Sequence, residues 1–138
     1  MNPESWHLSV YIDRPASEVY AYVVDPSHLP SWALGLGSSV VHEEDGRWFV
    51  ETSEGRVGFT FAPHNAHGVL DHEIALPDGT TVYVPLRVIP AGDDRSEVVF
   101  TLRRAPGMSD AELERDANLV STDLALLKEV VEGLPRAS

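Results

Sequence analysis

Apolar positions recur along this chain with two different periods, and the change from one to the other divides it. Toward the C terminus, Leu113, Ala117, Val120, Leu124, Leu127, Val131 and Leu134 follow in alternating steps of four and three, which draws one apolar stripe down a helix. Leu119, Leu126 and Val130 widen the stripe. Ser109 with Glu112 three positions on is a capping-box start, Asp110 and Glu112 suit the positive end of the helix dipole, and Gly133 with Pro135 ends the pattern. These signals predict a helix over Ser109 to Gly133, roughly 35 Å long at about 1.5 Å per residue.

Before it the period is mostly two. Trp6, Leu8, Val10 and Ile12 alternate with His7, Ser9, Tyr11 and Asp13, a half-buried strand. Asp13-Arg14-Pro15 then switches the period: Pro15 fits a first helical position, Val19, Tyr22 and Val23 share a face, and Asp25-Pro26 stops the helix. Ser27 to Ala33 reads as a second, short helical piece that must lean on something else. Gly35 and Gly37 open a region of strands: Val40 to Glu43, Arg47 to Ser53 and Arg56 to Ala62, separated by Glu44-Asp45-Gly46 and Glu54-Gly55. After Pro63-His64-Asn65 come Gly68 to Leu76, the Pro77-Asp78-Gly79 turn, Thr80 to Ile89, Ala91-Gly92-Asp93-Asp94, and Ser96 to Arg103. Hairpin spacings make the sheet antiparallel. The order is strand, two short helices, six strands and a long helix, with the helix lying across the sheet.

The length, 138 residues with 43% hydrophobic, suits one α+β domain spanning residues 1–138 that buries a core without staples. There is no cysteine, which excludes disulfides, thiolate catalysis and cysteine metal sites. Twenty-two acidic residues against ten basic ones give a formal charge of −12, which would repel a phosphate backbone, so no nucleic-acid partner is expected. The first residues lack a basic start and a continuous apolar run, and no segment approaches the ~20 apolar residues needed to span a bilayer. No membrane association and a cytoplasmic location are the expectation.

Ile12-Asp13-Arg14-Pro15-Ala16-Ser17-Glu18-Val19-Tyr20, followed by Asp25-Pro26-Ser27-His28-Leu29-Pro30-Ser31-Trp32, resembles the entry signature of the START-related polyketide cyclase and dehydratase (SRPBCC) superfamily. Gly68-Val69-Leu70-Asp71-His72, Val84-Pro85-Leu86-Arg87-Val88 and Glu97-Val98-Val99-Phe100-Thr101-Leu102 resemble an uncharacterised bacterial branch of it. The resemblance implies the helix-grip fold, here a curved antiparallel sheet of seven strands with two short helices, wrapping a long C-terminal helix and leaving a cavity between sheet and helix. It implies a cavity and not a chemistry.

Alternation puts Gly68, Leu70, His72, Ile74 and Leu76 on one face of their strand, and Val69, Asp71, Glu73 and Ala75 on the other. If the apolar face meets the helix, His72 is a polar group within an apolar cavity, able to hold or protonate a ligand. The plainer reading is a buried histidine satisfied by a backbone carbonyl or a tyrosine hydroxyl. Asp71 points the other way, so the pair is a poor catalytic dyad. On the next strand, either Val82, Val84, Leu86 and Val88 or Tyr83, Pro85, Arg87 and Ile89 face inward. In the second case Tyr83 and Arg87 enter the cavity, where Arg87 could meet a ligand carboxylate or enolate; in the first, Arg87 pairs with an acid on the outer face.

Trp32, by the resemblance, closes the cavity mouth. Trp48, Val50 and Thr52 on one strand, with Val57, Phe59 and Phe61 on the next, would form an aromatic wall or simply core. Val120 and Leu124 face them from the helix. His64, His67 and Asp71 with His72 invite a metal reading, but His67 and His72 fall on opposite faces and His64 in a turn, so no metal is expected. No phosphate loop, nucleophile elbow or paired-acid motif appears, and no cofactor is expected.

Three functions fit these residues. The first is binding of a hydrophobic or aromatic small molecule between sheet and helix. The second is a cyclase- or dehydratase-like reaction with His72 as catalytic acid and base. The third is a non-catalytic, co-chaperone-like partner module, which requires a small or filled cavity and an exposed apolar patch. The outer sheet face carries enough apolar positions for a homodimer, and enough charged ones to be solvated instead.

Overall fold

The computed structural model describes residues 5–33, 40–52 and 55–135. Gly35, Gly37, Ser53 and Glu54, read above as turn residues or a strand end, lie outside them. The chain runs through β1 (Ser5–Ile12), α1 (Ala16–Val23), a 3-10 turn (Pro26–His28), α2 (Leu29–Trp32), β2 (Val40–Glu44), β3 (Arg47–Thr52), β4 (Gly55–Phe61), β5 (His72–Ala75), β6 (Thr81–Val84), β7 (Leu86–Pro90), β8 (Ser96–Arg103) and α3 (Asp110–Glu132). All strand pairs are antiparallel, in the orders β2-β3-β4-β5-β6 and β1-β8-β7. The architecture is the helix-grip arrangement expected from the sequence, with eight strands in place of seven.

The additional strand has a local cause. The stretch Thr80 to Ile89, read as one strand, is broken at Pro85, which has no N–H for a ladder. The register does not change across the break: His72 lies opposite Val84, and Val69, three residues earlier, lies opposite Arg87, three residues later. One long hairpin therefore passes from the five-stranded sheet into the three-stranded one. At the crossing, Leu70 N–H donates to the Leu86 carbonyl at 2.8 Å. The reciprocal bond is replaced by side chains: Leu86 N–H donates to Asp71 Oδ1 at 2.9 Å, and the Leu70 carbonyl is 3.1 Å from His72 Nδ1. Both backbone groups remain satisfied, as burial requires.

The first helix begins one residue later than the sequence suggested, with Pro15 as its N-cap. The capping box of α3 forms as read, with Glu112 N–H donating to Ser109 Oγ and Ser109 N–H to Glu112 Oε1, each at 3.1 Å. At the other end, Arg14, only 6% exposed, donates to the carbonyls of Glu132 at 2.5 Å and Leu134 at 3.0 Å. A guanidinium at the negative end of the helix dipole satisfies carbonyls that have no partner within the helix. Lys128 Nζ adds bonds to the Tyr11 carbonyl and to Glu132, and Asp13 N–H donates to Glu132 Oε2. The C-terminal end of α3 is thereby fastened to the β1–α1 corner.

Leu113, Ala117, Leu124, Leu127 and Val131 of the stripe are buried, and most of them join Ile12, Val19, Val23, Val50, Leu70, Val88 and Val98 in the core. Val120 is only half-buried and Leu134 is 40% exposed. Around Val120 the helix leaves the packed core and faces a cavity.

Candidate functional site

The cavity holds about 270 Å³. Its floor is the inner face of the sheet: Phe59 and Phe61 from β4, His72 and Ile74 from β5, Val84 and Leu86 on either side of Pro85, and Phe100 and Leu102 from β8. Leu29, Trp32 and Ala33 close one side, and Asp116, Leu119, Val120, Asp123 and Leu124 of α3 form the other. Leu119, 45% exposed, is the most open of these residues, so the mouth lies beside α3.

Of the residues expected to bind, Trp32, Phe59, Phe61, His72, Val120 and Leu124 are brought together here. Four are elsewhere. Leu70 is fully buried but belongs to the core, where its strand has already crossed toward β7. Trp48 shares the inner face and pairs with Phe59, yet sits one strand farther from the helix than the cavity reaches. Tyr83 and Arg87 face away from it, because Val84, Leu86 and Val88 are buried and alternation sends their neighbours outward. Arg87 donates through Nε and Nη2 to Asp71, both bonds 2.8 Å, and Tyr83 Oη donates to Asp71 Oδ2 at 2.6 Å. Asp71 itself is only 4% exposed, a buried carboxylate on the side opposite the cavity.

The sequence reading missed Asp116 and Asp123. They lie four positions before and three after Val120, so helical spacing alone put them at the edges of its stripe.

His72 is the polar centre of the wall. Phe59 stacks on its ring at 4.6 Å with an interplanar angle of 20°, and Phe61 meets both rings edge-on. Since a carbonyl only accepts, the contact with Leu70 puts the proton on Nδ1 and leaves Nε2 as a bare acceptor with no partner among the described residues. Burial pushes the imidazole pKa down to about 4, outweighing the Leu70 carbonyl and the charge of Asp71, which favour protonation. His72 is neutral at pH 7. Trp32 supplies the one N–H donor of the wall; its Nε1 is buried and also lacks a partner among the described residues.

Neutral burial makes stability depend on pH. An unfolded histidine takes up its proton near 6.5 and the folded one near 4. The stabilisation is present above pH 6.5 and is lost as the pH falls from 6.5 to 4, by an amount on the order of 3 kcal/mol. Urea unfolding of the wild type and His72→Phe across that window should show the slope in the former alone. Parallel curves would mean that His72 is not held neutral.

Among the described residues no helix is long and apolar enough to cross a membrane. No curated protein matches the chain in sequence. Solved structures match its fold throughout. XoxI from Bacillus cereus superposes with a TM-score of 0.70 at 14% identity, over 94% of this chain and 96% of that one. The Zhui aromatase/cyclase from Streptomyces sp. R1128 gives 0.63 at 16% identity, over 95% and 94%. Truncated norcoclaurine synthase from Thalictrum flavum gives 0.63 at 13%, over 97% and 96%. At these identities the likeness establishes the fold. The sequence itself adds the family: a model described as polyketide cyclase / dehydrase and lipid transport matches residues 5–134, and the chain belongs to that family, within the SRPBCC superfamily.

Proposed function

We propose that the protein binds a compact, largely apolar and ring-containing small molecule between Phe59, Phe61 and His72 on the sheet and Val120 and Leu124 on α3. The observation that carries this reading is a mostly apolar cavity with one neutral, unpartnered imidazole nitrogen in its wall. Such sites gain affinity from apolar burial and orientation from a few placed polar atoms. A volume of about 270 Å³ lies at the small end of ligand pockets, which favours one or two rings over a long acyl chain and so separates the two halves of the family description.

The enzymatic alternative assigns proton transfer to His72. A pKa near 4 makes that imidazole a weak base at neutral pH, whereas general catalysis works best near the operating pH. The same nitrogen is well suited to accept a hydrogen bond from a ligand hydroxyl. Binding without turnover is therefore the better-supported reading.

The test is a thermal-shift screen with mono- and bicyclic aromatic compounds, joined to native mass spectrometry of the purified protein. A binder at a hundred times its dissociation constant should stabilise the fold by about 2.7 kcal/mol. Val120→Trp fills the space from the helix side, should fold, and should abolish the shift. Shifts that survive in Val120→Trp would place binding outside this cavity.

A further inference from the structure

The proposal here rests on the cavity reading above and concerns the charge of what the cavity takes. Its polar groups are one-sided. The lining contains two carboxylates, Asp116 and Asp123, and neither lysine nor arginine. Deeper in, His72, only 6% exposed, offers Nε2 as an acceptor, because its Nδ1 proton is directed to the Leu70 carbonyl. The wall's one N–H donor, Trp32 Nε1, is itself buried. The carboxylates lie two helical turns apart, about 10.5 Å along the axis, on either side of Val120. The mouth is thus flanked by negative charge, on a chain whose formal charge is −12.

We propose that the cavity selects a ligand with an aromatic body and a protonated amine, the rings lying against Phe59 and Phe61 and the ammonium at the mouth beside Asp116 and Asp123. An ammonium group donates three hydrogen bonds and accepts none, matching a rim of acceptors. A carboxylate on the same body meets two like charges and no cation, so it is excluded by repulsion as well as by lack of a partner. The overall field acts in the same direction, drawing cations toward the protein and turning anions away.

Three probes of nearly one shape isolate the effect: 1-naphthylmethylamine, 1-naphthylmethanol and 1-naphthoate. Calorimetric titration should find the amine bound about tenfold more tightly than the alcohol, the usual gain of one charge-assisted hydrogen bond. The naphthoate should bind more weakly than either. In Asp116→Asn/Asp123→Asn the amine-to-alcohol ratio should fall toward one, and raising the salt should narrow it in the wild type. Naphthoate binding as tightly as the alcohol, or an amine preference unchanged in the double variant, overturns the charge selection and leaves the cavity reading standing. If none of the three binds, the cavity reading itself fails, and this proposal with it.

Discussion

Alanine at position 68 should abolish folding or come close to it. Gly68 has a φ of +72°, and a Cβ there would lie 2.1 Å from the Val88 carbonyl oxygen. The neighbour cannot give way cheaply, because Val88 N–H donates to the Gly68 carbonyl at 2.9 Å and holds the two strands at this separation. The left-handed conformation alone costs a residue with a Cβ about 1–2 kcal/mol. Relief of the clash would need the hairpin to part where it joins the three-stranded sheet, so a loss above about 4 kcal/mol is expected, a large share of a typical stability of about 5–15. Gly46→Ala is the internal control, with a φ of +79° and nothing within 4 Å of the added carbon. It should lose only the conformational part. Equal denaturation midpoints for the two variants would rule out the close approach at Gly68.

The second large effect is expected at Asp71. This buried carboxylate accepts four hydrogen bonds, from Leu86 N–H, Tyr83 Oη and two nitrogens of Arg87. Asp71→Ala leaves the Leu86 amide without its partner in the interior and should cost about 3–5 kcal/mol, as breaking a buried pair does. Arg87→Ala should cost less, since the Arg87 side chain is 49% exposed and its charge is screened. The Arg87 guanidinium, aided by Tyr83 and Leu86, holds the Asp71 carboxyl well below its usual range against the opposing effect of burial. A carboxylate depressed in the folded state stabilises above its unfolded pKa of about 3.8, and that contribution is lost as the pH falls below it. The acid limb of the stability curve should therefore have two parts: one from 6.5 to 4, removed by His72→Phe, and one below about 3.8, removed by Asp71→Asn. Should Asp71→Asn retain the lower part, the carboxylate would not be its source.

Much of this was legible before any coordinates. The α3 stripe, its capping box, the hairpin turns and the burial of Phe59, His72, Val84 and Leu86 all follow from local periodicity, which reports on each residue's immediate neighbours. Alternation gives the face of a side chain but not its place along the sheet, which is why Trp48 and Leu70 were correctly turned inward and wrongly put in the cavity wall. Pro85 carried its signal openly, since a proline within a run argues against a continuous ladder. The Asp71 cluster is different in kind. It joins residues brought together by a hairpin register, and Arg14 joins α3 across more than a hundred positions of sequence. Such pairings depend on the assembled fold, and no spacing along the chain announces them. Asp116 and Asp123 were visible as flanks of the helix stripe, but ordinary solvent-facing acids sit in the same positions.

The interrupted hydrogen bond between Leu70 and Leu86 sets how this protein can change. Its donor is held by Asp71 and its acceptor by His72, so two adjacent side chains on opposite faces of the sheet share one repair of the backbone. Any replacement of His72 that alters the binding surface also leaves the Leu70 carbonyl without its partner, at a cost of about 1–3 kcal/mol. The sheet side of the pocket is consequently conservative by construction. Val120, Leu119 and Leu124 on the opposite wall are apolar and can be exchanged without orphaning any polar group of the sheet. New ligand preferences, whether reached by divergence or by design, should accumulate along one face of α3 while the histidine opposite stays fixed.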